Sequence, residues 1–493
     1  MKMKKIAILV LFVSILTIGS TTILTPRAFT NEIVPEPPET KGITLTIVTR
    51  HDTTITTKFK TEFLASQIAQ NYGITGMSFL QATTDTGWQA LLSDPARGVD
   101  LAWGGGPALF HTMKKWGMLK LIDNTTLIDF INDHCPDVIA GAEMKVNDSS
   151  GNFWYVANAI SSFGFTVNHV VLDQYGLDVP NTWEELASPA YYINPTVPAI
   201  SMGDPPLTTS NTKIYHIILQ AFGWEEGWSV LTRMAANSKI YPGSVDTRAA
   251  VVSGEVAIAM TIDFYGVIAK RENENTEYII PEGQSIVNGD PIALGVNCDN
   301  LAAAEAFMQY LFSEEGQTVW MMQGLDRLPV NEDAFQTPYG QTRTDLYTAY
   351  NETIVNEGIE FNETLAAEYL DSTIYYFHQT LVESHGLLRK AWGEMVTQLR
   401  DGTINESYYE QLVDELTEVT MTEAEALACN DQYVEDDDFS AQKDSEWRAF
   451  ASAKYTSIIN QLAPEDTPFQ MMPVFTSLLF IAAITIILRK RRK

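Results

Sequence analysis

Cysteine is close to absent from this sequence: three residues in 493, Cys135, Cys298 and Cys429. An odd number at long spacing excludes a disulfide framework and a structural zinc site; at most one pair can bridge. Histidine is also sparse, seven in all, and scattered. His216 lies in an apolar helical stretch and reads as packing, while His378 and His385 fall seven apart on one helical face with no neighbouring ligand set. No H-E-x-x-H, G-x-S-x-G or G-x-x-x-x-G-K pattern occurs, so no metalloprotease, serine hydrolase or P-loop enzyme is encoded by motif. Nothing here argues for catalysis or a resident cofactor. Positive charge is scarce too. Lys and Arg number 32 against 62 Asp and Glu, a net charge of −30, with basic stretches only at the two ends. That excludes nucleic acid as a partner, because phosphate neutralisation needs a Lys/Arg surface. Acidity of this size keeps an exposed body soluble. The run EDDD at 435–438 lacks the mid-loop glycine and spaced ligands of a calcium loop, and reads as a solvated turn.

Apolar runs flanked by basic residues stand at the two ends of the chain. MKMKK leads into IAILVLFVSILTIG and then Ser20, Thr21 and Thr22, the layout of a signal peptide, expected over 1–30. At the other end, the residues Met471–Leu488 carry no charge. As a helix they reach roughly 27 Å, close to the hydrocarbon thickness of a bilayer, so a transmembrane helix is expected over 469–488. The basic tail 489–493 then stays in the cytoplasm by the positive-inside rule. The expected localisation is a single pass in the cell membrane with the bulk of the chain extracellular. Sequons at Asn124, Asn147, Asn351, Asn362 and Asn405 fit an exported body.

Between the ends, 45% hydrophobic and 11% aromatic residues supply packed cores, and the length is too great for one of them. NEIVPEPPET reads as an extended linker within 31–42. ITLTIV is strand-like, and Phe59, Phe63, Leu64, Ile68 and Tyr72 then share one helical face, ended by Gly73. MSFLQA predicts a second strand, TDTGWQALLSD a short helix, DLAWGGG a third strand with a glycine loop, and Pro107 the start of a helix. Strand and helix alternate again from FGFTVN and PAISM, through SNTKIYHIILQAFG and WEEGWSVLTRMA, to GEVAIAMTI, YIIP, DPIAL and the helix LAAAEAFMQYLF. This predicts an α/β fold of two lobes with a hinge, followed by an all-helical module. The expected boundaries are 43–335 for the two lobes (lobe 1 at 43–165 and 265–335, lobe 2 at 166–264) and 336–468 for a helical stalk.

In open α/β sheets ligands collect at the carboxyl ends of strands, beside helix N-termini. Four loops there stand out: TRHD, WGGGP, SNT and IDFYG. Trp88 and Trp103 are single aromatics beside strands, able to stack on a ligand or to fill the core. The segments GVDLAWGGGPALFHTMKKWGMLKLID, VPNTWEEL, AISMGDPPLTTSNTKIYHIILQAFGWEEGW, SGEVAIAMTIDFY and AAAEAFMQYLFSEEGQTVW follow in order. With IVTRHD before them and GLDRLPV after, 43–333 resembles the extracellular solute-binding proteins of ABC importers. The group it is similar to includes ferric-iron, thiamine and phosphonate binders.

The resemblance implies a non-enzymatic receptor that closes on a small polar solute, an organic anion, a sugar or a metal ion such as ferric iron, between its lobes. It would then deliver the solute to an ABC permease and its ATPase, with the C-terminal helix as membrane anchor. The ligand-binding residues it implies are Thr49, Arg50 and His51; Trp103 with Gly104, Gly105 and Gly106; Ser210, Asn211 and Thr212; and Asp263, Phe264 and Tyr265. Ferric binders of the group carry two adjacent tyrosines where this chain has Phe264-Tyr265; for iron, Tyr265, His51 and Tyr241 are the expected ligands. Two rival readings are a surface structural or adhesion protein acting through its helical module, and a secreted hydrolase with an unrecognised site.

Overall fold

The computed structural model describes residues 42–356 and 358–463. The expected signal peptide, most of the linker, the transmembrane helix and the basic tail lie outside the described residues. Among the described residues no helix is long and apolar enough to cross a membrane.

Lobe 1 grows from alternating strands and helices. Strand β1 (Ile43–Thr49) buries Leu45, Ile47 and Val48. Helix α1 (Thr53–Ala65) is capped by Asp52, whose carboxylate accepts from the N–H groups of Thr54 and Ile55, and it buries Ile55, Phe59 and Phe63 at helical spacing. The helix does not run on to Gly73. Ser66 is extended and its hydroxyl caps a separate short helix, which leaves Tyr72 exposed. Strand β2 (Ile74–Gln81), helix α2 (Asp85–Ser93), strand β3 (Leu101–Trp103) and helix α3 (Pro107–Lys115) follow. β1 lies between β2 and β3, parallel to both.

Strand β4 (Phe153–Asn168) then crosses into lobe 2. There strand β5 (Ile200–Gly203), helices α4 (Thr209–Phe222) and α5 (Trp224–Ala236), strand β6 (Ser238–Tyr241), helix α6 (Ser244–Ser253) and strand β7 (Ile258–Ile262) form a second parallel set. Helix α7 (Asp263–Glu272) leads to strand β8 (Thr276–Ile279), and strand β9 (Val287–Gly295) returns to lobe 1, where helices α8 (Leu301–Phe312) and α9 (Glu314–Trp320) and strand β10 (Leu328–Pro329) complete it. One sheet path joins both lobes in the order β6-β5-β7-β4-β9-β3-β1-β2.

The second crossing falls at Val287–Gly289, opposite Ser162–Ile160, and not near residue 265 as the sequence suggested. The reason is β8, which pairs antiparallel with the lobe-2 half of β4 and keeps α7 in lobe 2. The ladder between β9 and β4 shifts register between Gly289 and Pro291, a bulge that leaves Asp290 out of the regular pairing.

After β10 come the helices α10 (Thr344–Val355), α11 (Glu363–Glu368), α12 (Leu370–Phe377), α13 (His385–Arg400), α14 (Glu406–Thr417), α15 (Glu423–Glu435) and α16 (Asp437–Gln461). They are not set apart from the lobes. Leu346 and Tyr350 of α10 join the lobe-1 core around Phe63, Trp103 and Phe307. Phe377, Trp392, Leu412, Trp447 and Tyr455 join the lobe-2 core around Ile200, Ile217, Trp228 and Met260. Tyr215 stacks on Phe377 at 4.5 Å between centroids, and the Trp392 indole donates to Asn237 Oδ1 at 2.8 Å. The acidic turn is a helix start: Asp436 accepts from the N–H groups of Asp438 and Phe439.

Candidate functional site

The carboxyl end of β1 delivers Thr49, Arg50 and His51. Thr49 is fully buried, and its hydroxyl accepts from the His51 N–H at 3.0 Å, which turns the chain. His51 is 4% exposed, its ring edge-on to Trp103 with centroids 4.5 Å apart. Burial pushes its pKa down to about 4 despite the nearby Asp290 and Asp52, so the imidazole is neutral at pH 7. Its Nε2 lies 3.5 Å from Asp290 Oδ2 and makes no hydrogen bond.

The glycines after β3 hold a backbone that other residues resist. Gly104, Gly105 and Gly106 have φ of +77°, +110° and +86°. A methyl group on Gly104 would collide with the His51 ring; on Gly105 it would lie 2.7 Å from Leu109 Cδ2 and 3.1 Å from Arg50 Cδ. The two loops are thus packed edge to edge. Helix α3 starts at Pro107 with no side chain capping its first N–H groups. Arg50 donates to Asp85 Oδ1 at 2.7 Å through Nη2, while its Nε has no partner.

Lobe 2 meets this group through the start of α7. The Phe264 ring lies under the Arg327 guanidinium at 4.4 Å, and Arg327 donates to Asp290 Oδ2 at 3.1 Å. Tyr265 packs on Phe264 with centroids 4.5 Å apart, and the Arg248 guanidinium of α6 sits 5.5 Å from its ring. Burial raises the Tyr265 pKa, with Arg327 and Arg248 pulling the other way, so the phenol stays protonated. Arg248 Nε has no hydrogen-bond partner, nor has Asn288 Oδ1, whose side chain lies against Gly106. Four buried polar atoms, Arg50 Nε, His51 Nε2, Asn288 Oδ1 and Arg248 Nε, are therefore unpaired around one interlobe seam. Buried polar atoms are rarely left so.

Several expected ligand residues have structural work instead. Trp103 is fully buried behind His51, donating to Asn158 Oδ1 at 3.1 Å; Trp88 is buried as well. Asp263 is 2% exposed and accepts from the N–H groups of Ser162 and Phe264, tying α7 to the first crossing; burial pushes its pKa up to about 7. Asn211 is fully buried between the Gly203 N–H and the Met260 carbonyl, and Thr212 donates to Pro205 O. Ser210 is part-exposed and shares a 2.6 Å hydrogen bond with Ser244, which also contacts Thr208. The iron ligands do not assemble as a trio. Tyr241 packs on Ala250, Val251, Val256 and Ala259 with Lys239 over its ring, whereas Tyr265 and His51 lie at the seam. Among the described residues no three His, Cys, Asp or Glu side chains are grouped to hold a metal ion.

Arg327, Asp290, Asn288 and Arg248 carry no signal of their own. They come from a strand start, a segment before a short strand and the second turn of a helix, not from strand-to-helix loops. The bulge at Gly289/Pro291 frees Asp290, whose carbonyl accepts from Asn158 Nδ2 at 2.6 Å.

Comparison with known proteins agrees with this architecture. The profile of the family described as bacterial extracellular solute-binding protein matches residues 55–348. The phosphoglycerate transport regulatory protein PgtC of Salmonella typhimurium is 25% identical over 252 residues, 51% of this chain and 58% of the relative; the protein of that name from Salmonella typhi matches equally. The chain thus spans little more than half the length of these curated relatives. The Atu4243–GABA receptor superposes with a TM-score of 0.53 at 14% identity, covering 68% of this chain and 97% of that one. An ABC transporter structure from Clostridium perfringens gives 0.50 at 16%, covering 67% and 97%. These two likenesses show the two-lobed periplasmic-binding-protein fold. With the family's profile matching more than half its length, from α1 to α10, this chain belongs to the bacterial extracellular solute-binding proteins.

Proposed function

We propose that the chain is the solute-capturing component of an ABC importer, binding a small organic anion at the seam between its lobes and handing it to a permease. The carrying observation is the set of unpaired polar atoms there, two of them arginine Nε groups, one from each lobe. Guanidinium groups and the uncapped first turn of α3 favour negative charge. Because the carboxylate of Asp290 is occupied by Arg327, the free donors outweigh free acceptors. The Salmonella relative is named for phosphoglycerate transport, and phosphoglycerate is a small organic anion. A neutral His51 and a protonated Tyr265 add hydrogen bonds without charge, and no group at the seam is arranged as nucleophile and base, so we read the chain as a binder and not an enzyme. We also read 1–30 as an export signal and 469–488 as the anchor that keeps the receptor beside its permease, where tethering raises the effective concentration.

Thermal unfolding with phosphoglycerates, phosphonates, dicarboxylates, sugars, polyamines and ferric citrate tests the reading. A ligand at a hundred times its Kd stabilises the folded state by about 2.7 kcal/mol. Stabilisation by an organic anion, lost in Arg50→Ala and Arg248→Ala, is expected. A response to polyamines alone overturns the choice of anion; no response to any solute favours a structural protein.

A further inference from the structure

One short run of chain touches both lobes beside α3 and α4. Leaving α10, the Ile359 N–H donates to the Ser285 carbonyl at 2.9 Å, close to the second crossing. Asn362 and Gln220 of α4 then exchange two hydrogen bonds, Asn362 N–H to Oε1 at 2.7 Å and Gln220 Nε2 to the Asn362 carbonyl at 3.1 Å. Lys213 Nζ donates to Glu363 Oε2 at 2.7 Å, and the same ammonium lies 4.7 Å from the Phe361 ring centroid. Ala366 is 2% exposed within the lobe-2 core. All of these anchors belong to lobe 2. The other side of α11 packs on α3 of lobe 1, where Thr364 Oγ1 and His111 Nε2 share a hydrogen bond 3.5 Å long.

The anchoring is therefore lopsided. Toward lobe 2 the segment has an ion pair with both side chains mostly covered (15% and 25% exposed), paired amide bonds and a buried alanine. Toward lobe 1 it has a bond at the limit of hydrogen-bond length. If the lobes part at their two crossings, the α11–α3 contact is the one that yields, because it is the weaker face of the same helix.

We propose that Phe361–Glu368 is a strap that holds the lobes closed in the absence of solute, and that opening consists of α11 lifting off α3 while it stays on α4. The strap regulates the site read above as solute-binding, and only its consequence for capture rests on that reading. A strap that favours the closed form lowers the fraction of molecules able to admit solute, so entry slows by that fraction, and the same contact slows escape.

Spin labels at Lys115→Cys in lobe 1 and Leu207→Cys in lobe 2, in the full chain with Cys298→Ser and Cys429→Ser, read the angle between the lobes with no solute added. A single narrow distance is expected with the strap intact. Thr364→Arg, which places a bulky charge against α3, is expected to populate a longer distance, from about a tenth of molecules or less to about half, an open-to-closed ratio shifted about tenfold. His111→Ala removes the same contact by truncation and is expected to shift the ratio in the same direction. A broad distance distribution with the strap intact, or an unchanged one in both variants, overturns the strap. Failure of the solute reading shows differently: no solute alters the distances in any variant, while the strap variants still differ from the parent.

Discussion

The Arg327 guanidinium of lobe 1 lies 4.4 Å from the centroid of the Phe264 ring of lobe 2 while donating to Asp290, the residue released by the β9 bulge. One side chain thus joins the two lobes and fixes the carboxylate facing His51. Beside it, Asp326 is fully buried at φ +53° and accepts from Arg271 of α7 and from Arg343 just before α10. The seam is organised by arginines reaching across it.

Arg327→Ala is expected to lower stability by about 1–2 kcal/mol through loss of the desolvated cation–π contact. It also leaves Asp290 without its cation, so anion affinity should fall more than stability does. Urea unfolding and titration calorimetry on one preparation separate the two; equal affinity in the variant would remove Arg327 from the site.

Asn158 connects the seam to the core, accepting from the Trp103 indole, donating to the Asp290 carbonyl, and receiving Gln317 Nε2 at its own carbonyl. Asn158→Leu leaves the indole N–H buried and unpaired, with an expected loss of about 1–3 kcal/mol. Denaturant unfolding measures it, and Trp103→Phe in the same background should recover part of the loss.

Gly104→Ala forces φ +77° on a residue with a side chain and drives its methyl into the His51 ring. Strain of about 1–2 kcal/mol is expected, with displacement of His51 visible as a shift of its imidazole resonances. An unshifted His51 would show that the two loops are not packed as described.

Buried titratable groups make opposing contributions to pH dependence. Burial lowers His216 to about 3 and His51 and His385 to about 4, so the stability these neutral rings confer is present above about 6.5 and lost as pH falls toward the folded value. Burial raises Asp263 to about 7, and that contribution runs the other way: full at low pH, lost as pH rises through 7. The comparison to make is between variants. His216→Gln should change stability relative to the parent by about 1.4 kcal/mol per pH unit between 6.5 and 4, in favour of the variant on acidification. A parallel pair of stability curves would mean His216 is not neutral in the folded state.

Truncation after Arg343 tests the integration of the helical module. It strips lobe 2 of Phe377, Trp392, Trp447 and Tyr455, which share its core. The shortened chain is expected to aggregate, and Trp447→Ala alone to lose about 3–5 kcal/mol. A soluble, cooperatively unfolding 1–343 fragment would instead make the module a separate spacer.

The strands ITLTIV, FGFTVN and GEVAIAMTI and the capped helices were legible because their signals are local: apolar periodicity, glycine, and cap residues at helix starts. The loops TRHD and WGGGP were legible for the same reason, and they do pack together. Trp103, Asn211, Thr212 and Asp263 were read as facing a ligand, and the structure shows each satisfied inside the protein. A polar side chain at a strand end looks alike in sequence whether its partner is a solute or a carbonyl.

By itself the sequence determined the alternation of strand and helix, the poverty of catalytic and metal-binding motifs, and a scarcity of basic residues that makes each buried arginine informative. Only the tertiary structure decided where the chain recrosses, that the C-terminal helices complete lobe 2 instead of standing apart from it, and that His51 lies against Asp290. Those outcomes depend on strand pairing and core packing between residues a hundred or more positions apart, and no short-range pattern encodes such partners.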